Sequence, residues 1–230
     1  MPKLEKISKT YGDNVIFKHF DLNISKNAIT AITGASGVGK STLLNILAGV
    51  CSYEGETDAE RPVSYVFQSH ALIPSLTVRQ NVEFVLKRVY DKKNARAVTD
   101  AMLEKVELSD KADKLCDSLS GGEKQRANVA RAFAFPSELL LMDEPFGSLD
   151  LGLKVRIMNL YKDLLNEKPR TTVFVTHNID EALSFADEVI VLGKNRILYR
   201  AALKKSRGLR DLSDEDCLRV RRELYEILTK

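Results

Sequence analysis

Apolar positions change their period several times along the chain, and the changes mark out its elements. Between residues 3 and 33, short β-like runs (Leu4–Ile7, Asp21–Ile24, Ile29–Thr33) are separated by Gly12-Asp13-Asn14 and by Lys26-Asn27. Alternating runs broken by turn residues predict a small antiparallel β region that feeds a central strand. Lys40–Val50 is helical in pattern, and Val63–Phe67 is a compact strand ending at Gln68. Over residues 76–118, Val78, Val82, Val85, Leu86 and Val89 recur at three- and four-residue spacing among charged residues. Ala97, Ala101, Leu103 and Val106 continue the repeat less cleanly, and the whole stretch predicts a helical subdomain.

A strand–helix series follows, with a helix from Gly121, a strand at Leu139–Met142 and a helix from about Leu151. It continues with a strand at Thr172–Thr176, a helix from Ile179 and a strand at Val189–Leu192. Continuous apolar runs such as Leu139-Leu140-Leu141-Met142 suit parallel strands covered on both faces. The fold class is therefore α/β, a parallel-sheet core with an N-terminal antiparallel β region and an inserted α-helical subdomain. One domain over 1–230 is expected, its core in 1–68 and 139–230 and its mainly helical part in 69–138. Cys217, Val220, Leu224, Ile227 and Leu228 form a final amphipathic stripe next to Arg219, Arg221 and Arg222. The acidic residues mixed into it favour a helix packed on its own domain over one lying on a membrane.

Composition narrows the function classes. The 230 residues carry 35 basic and 32 acidic side chains, a net charge of +3 that gives no ground for nucleic-acid binding. Three cysteines without metal-ligand spacing suit a reducing compartment. No stretch approaches the roughly 18 apolar residues of a membrane span, and the first residues lack a signal-peptide pattern, so any membrane role is expected to be peripheral.

Candidate chemistry begins at Gly34-Ala35-Ser36-Gly37-Val38-Gly39-Lys40-Ser41-Thr42, which fits G-x-x-x-x-G-K-[ST] between an apolar strand and a helix. Glycines let backbone N–H groups curl around phosphate oxygens, and the helix start adds its dipole. Lys40 is expected to reach the β- and γ-phosphates, and Ser41 to ligate Mg²⁺. The segment is therefore expected to form the phosphate loop of a P-loop NTPase core.

Asp143 and Glu144 emerge from a buried strand at the edge where open α/β sheets bind ligands. Asp143 is expected to hold the metal and Glu144 to orient or deprotonate the attacking water. The strand before His177 delivers an imidazole suited to a γ-phosphate or water contact, and Gln68 ends a strand where its amide oxygen would join the metal shell.

Leu119-Ser120-Gly121-Gly122-Glu123-Lys124-Gln125-Arg126 combines an S-x-x-E capping box with two glycines that leave first-turn N–H groups open to an anion. Lying between a phosphate loop and an Asp-Glu strand, this segment makes the chain resemble the ATP-binding cassette family over nearly its whole length. The resemblance implies Tyr11 as the residue stacking on adenine, Gln68 as a metal-contacting glutamine, and Glu144 with His177 as the hydrolytic pair. It also implies that Ser148-Leu149-Asp150 crosses a dimer interface, and that Ser120, Gly121, Gly122 and Glu123 face the ATP of a second subunit. Glu123 departs from the family, in which Gln is commoner. A carboxylate near a γ-phosphate would repel it, so Glu123 is expected to fold back on its own helix start.

The segment Val66–Val82 and Asp143–Asp150 resemble importers of the nitrate, sulfonate and taurine branch. The resemblance thus implies a motor subunit, a homodimer at the cytoplasmic face of the membrane, driven by ATP and Mg²⁺. Its implied partners are integral membrane permease subunits, received beside Leu72, Ile73, Pro74 and Leu76, and a substrate-binding protein, with a small organic or inorganic anion as cargo. The alternatives are an exporter subunit and a soluble cassette acting on nucleic acid or ribosomes, the latter calling for a second cassette or a strong basic face. A small-molecule kinase would have no use for the Ser120 segment.

Overall fold

The computed structural model describes residues 2–59, 61–67, 71–147 and 149–229. A three-stranded antiparallel sheet is formed by β1 (Lys3–Tyr11), β2 (Asn14–Asn23) and β4 (Glu54–Thr57) in the order β2-β1-β4. The main sheet has the order β5-β6-β7-β3-β8-β9, from β3 (Ile29–Thr33), β5 (Ser64–Val66), β6 (Leu139–Asp143), β7 (Thr171–Val175), β8 (Glu188–Gly193) and β9 (Arg196–Ala202). Its first five strands are parallel, and β9 runs antiparallel to β8.

Every residue of β3, β7 and β8 is buried, as their apolar and β-branched composition requires of strands covered on both faces. The two-residue period divides β6 cleanly. Leu139 and Leu141 join the layer formed by the small sheet and α1 (Lys40–Ala48), while Leu140 and Met142 face the remaining helices. On that second face Phe146, Tyr161, Phe174 and Phe185 pack edge to face, with ring centroids 5.4–6.3 Å apart.

The helices on that face are α2 (Val78–Leu86), α3 (Lys92–Lys105), α4 (Gly121–Ala134), α5 (Leu151–Glu167), α6 (Ile179–Phe185) and α7 (Glu215–Leu228). α2 starts at a Thr77–Gln80 capping box and α3 at Asp91. Two details depart from the sequence reading. Val89 lies beyond the end of α2 and is exposed, and α3 buries Ala95, Thr99 and Leu103 while Ala97 and Ala101 face solvent. A buried threonine interrupts the apolar stripe, and the small alanines outside it carry too little surface to define a face. α7 buries Cys217, Val220 and Leu224 against its own domain, and Arg221 donates to Asp180 of α6 at 2.7 Å, as the mixed charge of its stripe suggests.

Candidate nucleotide site

The loop between β3 and α1 depends on backbone that only glycine adopts freely. Gly34 has φ 145°, and a Cβ there would stand 2.2 Å from the Leu192 carbonyl oxygen, so the loop can lie this close to β8 only without a side chain. Gly37 has φ 78° and nothing within 4 Å of the place a Cβ would take, which leaves that side of the loop open. Gly39 caps α1 without a side-chain hydrogen bond, so the first-turn N–H groups remain free for an anion. Lys40 Nζ bridges the loop, donating to the carbonyls of Gly34 at 2.9 Å and Ala35 at 2.8 Å. Val38 is half-buried against the core and holds the loop down.

Ser36, Gly37, Gly39, Lys40, Ser41 and Thr42 line a cleft of about 400 Å³, and Asn14, Ile16, Asp143, Glu144 and Val175 complete it. Ser41 and Asp143, on separate elements, meet there through a hydrogen bond from the Ser41 hydroxyl to the Asp143 carboxylate. Burial pushes the Asp143 carboxyl up, assisted by neighbouring Glu144 and opposed by the Ser41 hydrogen bond and by Lys40. Burial also lowers the Lys40 ammonium, against the pull of Glu144 and Asp143. A hydroxyl and one carboxylate facing each other beside an open phosphate cradle are the hard-oxygen donors that suit Mg²⁺, which keeps waters and phosphate oxygens in its remaining positions. Among the described residues no cluster of three or more His, Cys, Asp or Glu could hold a metal by itself.

Glu144 follows β6 in a left-handed conformation, φ 48°, which costs a non-glycine residue about 1–3 kcal/mol. Its N–H donates to Val175 O at 3.0 Å, extending the β6–β7 ladder by one residue before the chain turns. The carboxylate Oε1 and Oε2 lie 2.9 and 2.8 Å from His177 Nδ1. Glu144 is 16% exposed and His177 73%, so the pair runs from the cleft wall to solvent. His177 leaves the end of β7, and behind it Asn178 caps α6 through Asp180 N and Glu181 N. Lys154 Nζ and Thr176 Oγ1 both donate to Glu181, at 2.5 and 2.6 Å, and brace this corner.

The other expected site residues that the structure describes do not line the cleft. Ser120 caps α4, accepting from Glu123 N at 3.3 Å, while Glu123 Oε2 accepts from Ser120 N at 2.8 Å. Glu123 thus folds back on its helix start, and these hydrogen bonds hold its carboxyl below the usual range. Gly121 is open to solvent, Gly122 faces Leu153, and none of residues 120–123 lines the cleft. Asp150 accepts from Leu153 N at 3.0 Å as the cap of α5. Tyr11, at the end of β1, is 48% exposed with the Lys9 ammonium 4.5 Å from its ring centroid. Gln68 and Ser148 lie outside the described residues.

Sequence reasoning missed Gln125, whose buried amide donates to Pro145 O at 2.9 Å and ties α4 to the turn that carries Glu144. The available signal was an uncharged polar residue on the inward side of a helix. It also missed Asn14 and Ile16, which the β1–β2 hairpin brings to the cleft.

The cap permits a direct test. Glu123→Gln preserves the capping box and is expected to leave stability within about 0.5 kcal/mol, whereas Glu123→Ala loses the reciprocal hydrogen bond from Ser120 N and about 0.5–1.5 kcal/mol with it. Urea unfolding compares the two. Because the folded carboxyl titrates below its unfolded value, the difference from Ala is present above the unfolded pKa and fades as pH falls through the folded one.

A parallel α/β sheet whose carboxyl edge carries this loop, Ser41 opposite Asp143, and a Glu–His pair defines a P-loop nucleotide-binding protein. The family model described as "ABC transporter" matches residues 17–147, and the chain belongs to that family. The aliphatic sulfonates import ATP-binding protein SsuB 1 of Nocardia farcinica is 38% identical over 94% of this chain and 87% of its own length. The Fe(3+) ions import ATP-binding protein FbpC of Fusobacterium nucleatum is 37% identical over 86% of this chain, and the sulfate/thiosulfate import ATP-binding protein CysA of Synechococcus elongatus 36% over 85%. The chain spans only 57% and 60% of the length of these last two relatives. Among solved structures, the dimeric bacterial ABC transporter cassette MJ0796 superposes with a TM-score of 0.77 at 33% identity, covering 90% of this chain and all of the other. Its post-hydrolysis state with ADP and Pi gives 0.78.

Proposed function

We propose that this chain binds and hydrolyses ATP as the motor subunit of a membrane importer for a small solute, with an organic or inorganic anion as the favoured cargo. The observation that carries the reading is the meeting of Lys40, Ser41, Asp143 and the Glu144–His177 pair around one cleft. In this assignment the loop N–H groups and Lys40 hold the β- and γ-phosphates. Ser41 and Asp143 hold Mg²⁺, with Gln68 as the further ligand, and bound Mg²⁺ supplies neutralisation of phosphate charge. Glu144 takes the proton from, or orients, the attacking water, and His177 donates toward the γ-phosphate. Tyr11 stacks on adenine.

Ser120, Gly121 and Gly122, with Asp150 at the cap of α5, complete the site of a second copy. Support comes from the open side of Gly121, where a Cβ would meet nothing within 4 Å, and from the fact that none of residues 120–123 lines the chain's own cleft. Closure of the dimer on ATP then drives permease subunits between inward- and outward-facing states at the cytoplasmic face of the membrane. A substrate-binding protein delivers the cargo. The anionic cargo is supported by the sulfonate and sulfate names among the relatives, and the peripheral placement by the finding that no described helix is long and apolar enough to cross a membrane. The permease is assigned to the side of Leu72, Ile73, Pro74 and Leu76. There Asn81 pins the segment through Ile73 N and O at 2.8 and 3.1 Å and leaves Pro74 exposed.

If two chains complete each site, the specific ATPase activity of the isolated chain rises with its concentration until dimers saturate. Steady-state phosphate release across dilutions checks this. A specific activity independent of concentration, from a protein that remains monomeric with ATP, overturns the shared site.

A further inference from the structure

At the other edge of the sheet, where β3, β7 and β8 begin, lies a cavity of about 250 Å³ between α5 and the 205–207 segment. It is separated from the phosphate loop by the length of the strands, roughly 17 Å for five residues. Among the described residues its lining carries four cations, Lys162, Arg170, Lys205 and Arg207, and one carboxylate, Asp187.

Two of the cations are held in unusual surroundings. Lys162 is 2% exposed, yet among the described residues its ammonium makes a single long hydrogen bond, 3.3 Å to Ser206 O, with the Phe185 ring centroid 5.3 Å away. Among the described residues it has no ion-pair partner, and a lysine is almost never buried so. Arg170 is equally buried. Its terminal nitrogens donate to the Ala132 and Phe133 carbonyls at the end of α4, while its Nε has no partner. Asp187, whose Oδ2 accepts from Ile29 N at 2.9 Å, sets one negative charge against these four cations and so offsets only part of theirs. Burial brings the Lys162 ammonium down to about 8, with Asp187 opposing and Arg210 assisting, so it is still a cation at neutral pH.

We propose that this cavity is a second anion site that takes a small oxyanion of the phosphate or sulfate type, with Lys162 as its floor and Lys205 and Arg207 as its rim. The volume lies below the 300–1,000 Å³ of pockets that hold drug-sized ligands, which fits a small ion. An oxyanion supplies the acceptors that the Lys162 ammonium lacks, and the two rim cations reach it from solvent-exposed positions.

The phosphate loop also attracts oxyanions, so the test must resolve the two places. Sulfate, then phosphate, is titrated into the isotope-labelled full chain at constant ionic strength, with chloride as control, while amide resonances are followed. Saturable shifts are expected at Asn166, Asp187, Ser206 and Arg207, with an affinity distinct from that read at Gly37–Ser41. Lys205→Gln/Arg207→Gln, which alters only exposed side chains, weakens the first set at least tenfold and leaves the second unchanged. Lys162→Met abolishes the first set. Shifts confined to Gly37–Ser41, non-saturating shifts at the cavity, or an unchanged affinity in the double variant each overturn the proposal.

Discussion

Glu144→Gln is expected to keep ATP binding and to lower hydrolysis by about 10²- to 10⁴-fold, the range that a positioned general base contributes. The amide is isosteric with the carboxylate and inherits the left-handed backbone at φ 48°, so the fold bears no new strain. Gln retains an oxygen toward His177 Nδ1, now 2.8–2.9 Å from the carboxylate, but has no capacity to take a proton from water. The Ser41–Asp143 pair and the Lys40 bridge are untouched, which is why binding and turnover separate in this variant and fall together in one that damages the cradle. With hydrolysis slowed, ATP-closed dimers accumulate. Nucleotide affinity, phosphate release and sedimentation are measured on the same preparation. Turnover within tenfold of the parent removes Glu144 from the role of base, and loss of ATP binding shows that its carboxylate serves the cradle instead.

Strands with both faces covered announced themselves, because Leu139–Met142 and Thr172–Val175 bear apolar or β-branched side chains on both sides of the pleat. β4 and β9 did not. Glu54–Thr57 is wholly polar and gains its strand conformation by pairing with β1, and β9 alternates exposed and half-buried residues at the edge of the main sheet. The phosphate loop was legible because close backbone approach demands glycine at fixed spacing, as the Leu192 carbonyl beside Gly34 illustrates. The Glu123 fold-back was legible because a capping box is local, decided within four residues. Gln125 and Lys162 escaped notice for the opposite reason. Each is a polar residue that a helix turns inward, and only the assembled fold supplies Pro145 O for one and the lining of a basic cavity for the other.

Lys40→Ala is expected to weaken ATP binding by on the order of 10²-fold. A hydrogen bond between charged groups contributes about 1.5–3 kcal/mol, and two from Nζ to phosphate oxygens would amount to more than that factor, at 1.4 kcal/mol per tenfold. The gain is reduced because Nζ already donates at 2.9 and 2.8 Å to Gly34 O and Ala35 O, bonds that must be exchanged when phosphate arrives. The same bonds predict that the variant loosens the loop and not the sheet. Ala35 is exposed, and water replaces the ammonium at its carbonyl, so the thermal midpoint is expected to move by only a few degrees. Burial holds the Lys40 pKa below its ordinary value, and bound phosphate favours the charged form. Binding by the parent chain therefore takes up protons at alkaline pH, and affinity falls as pH rises through that lowered pKa. The Ala variant is expected to lack this component. Calorimetry in buffers of different ionisation enthalpy reads both affinity and proton uptake. An affinity within threefold of the parent, or unchanged proton uptake in the variant, is incompatible with a Lys40 that grips the phosphates.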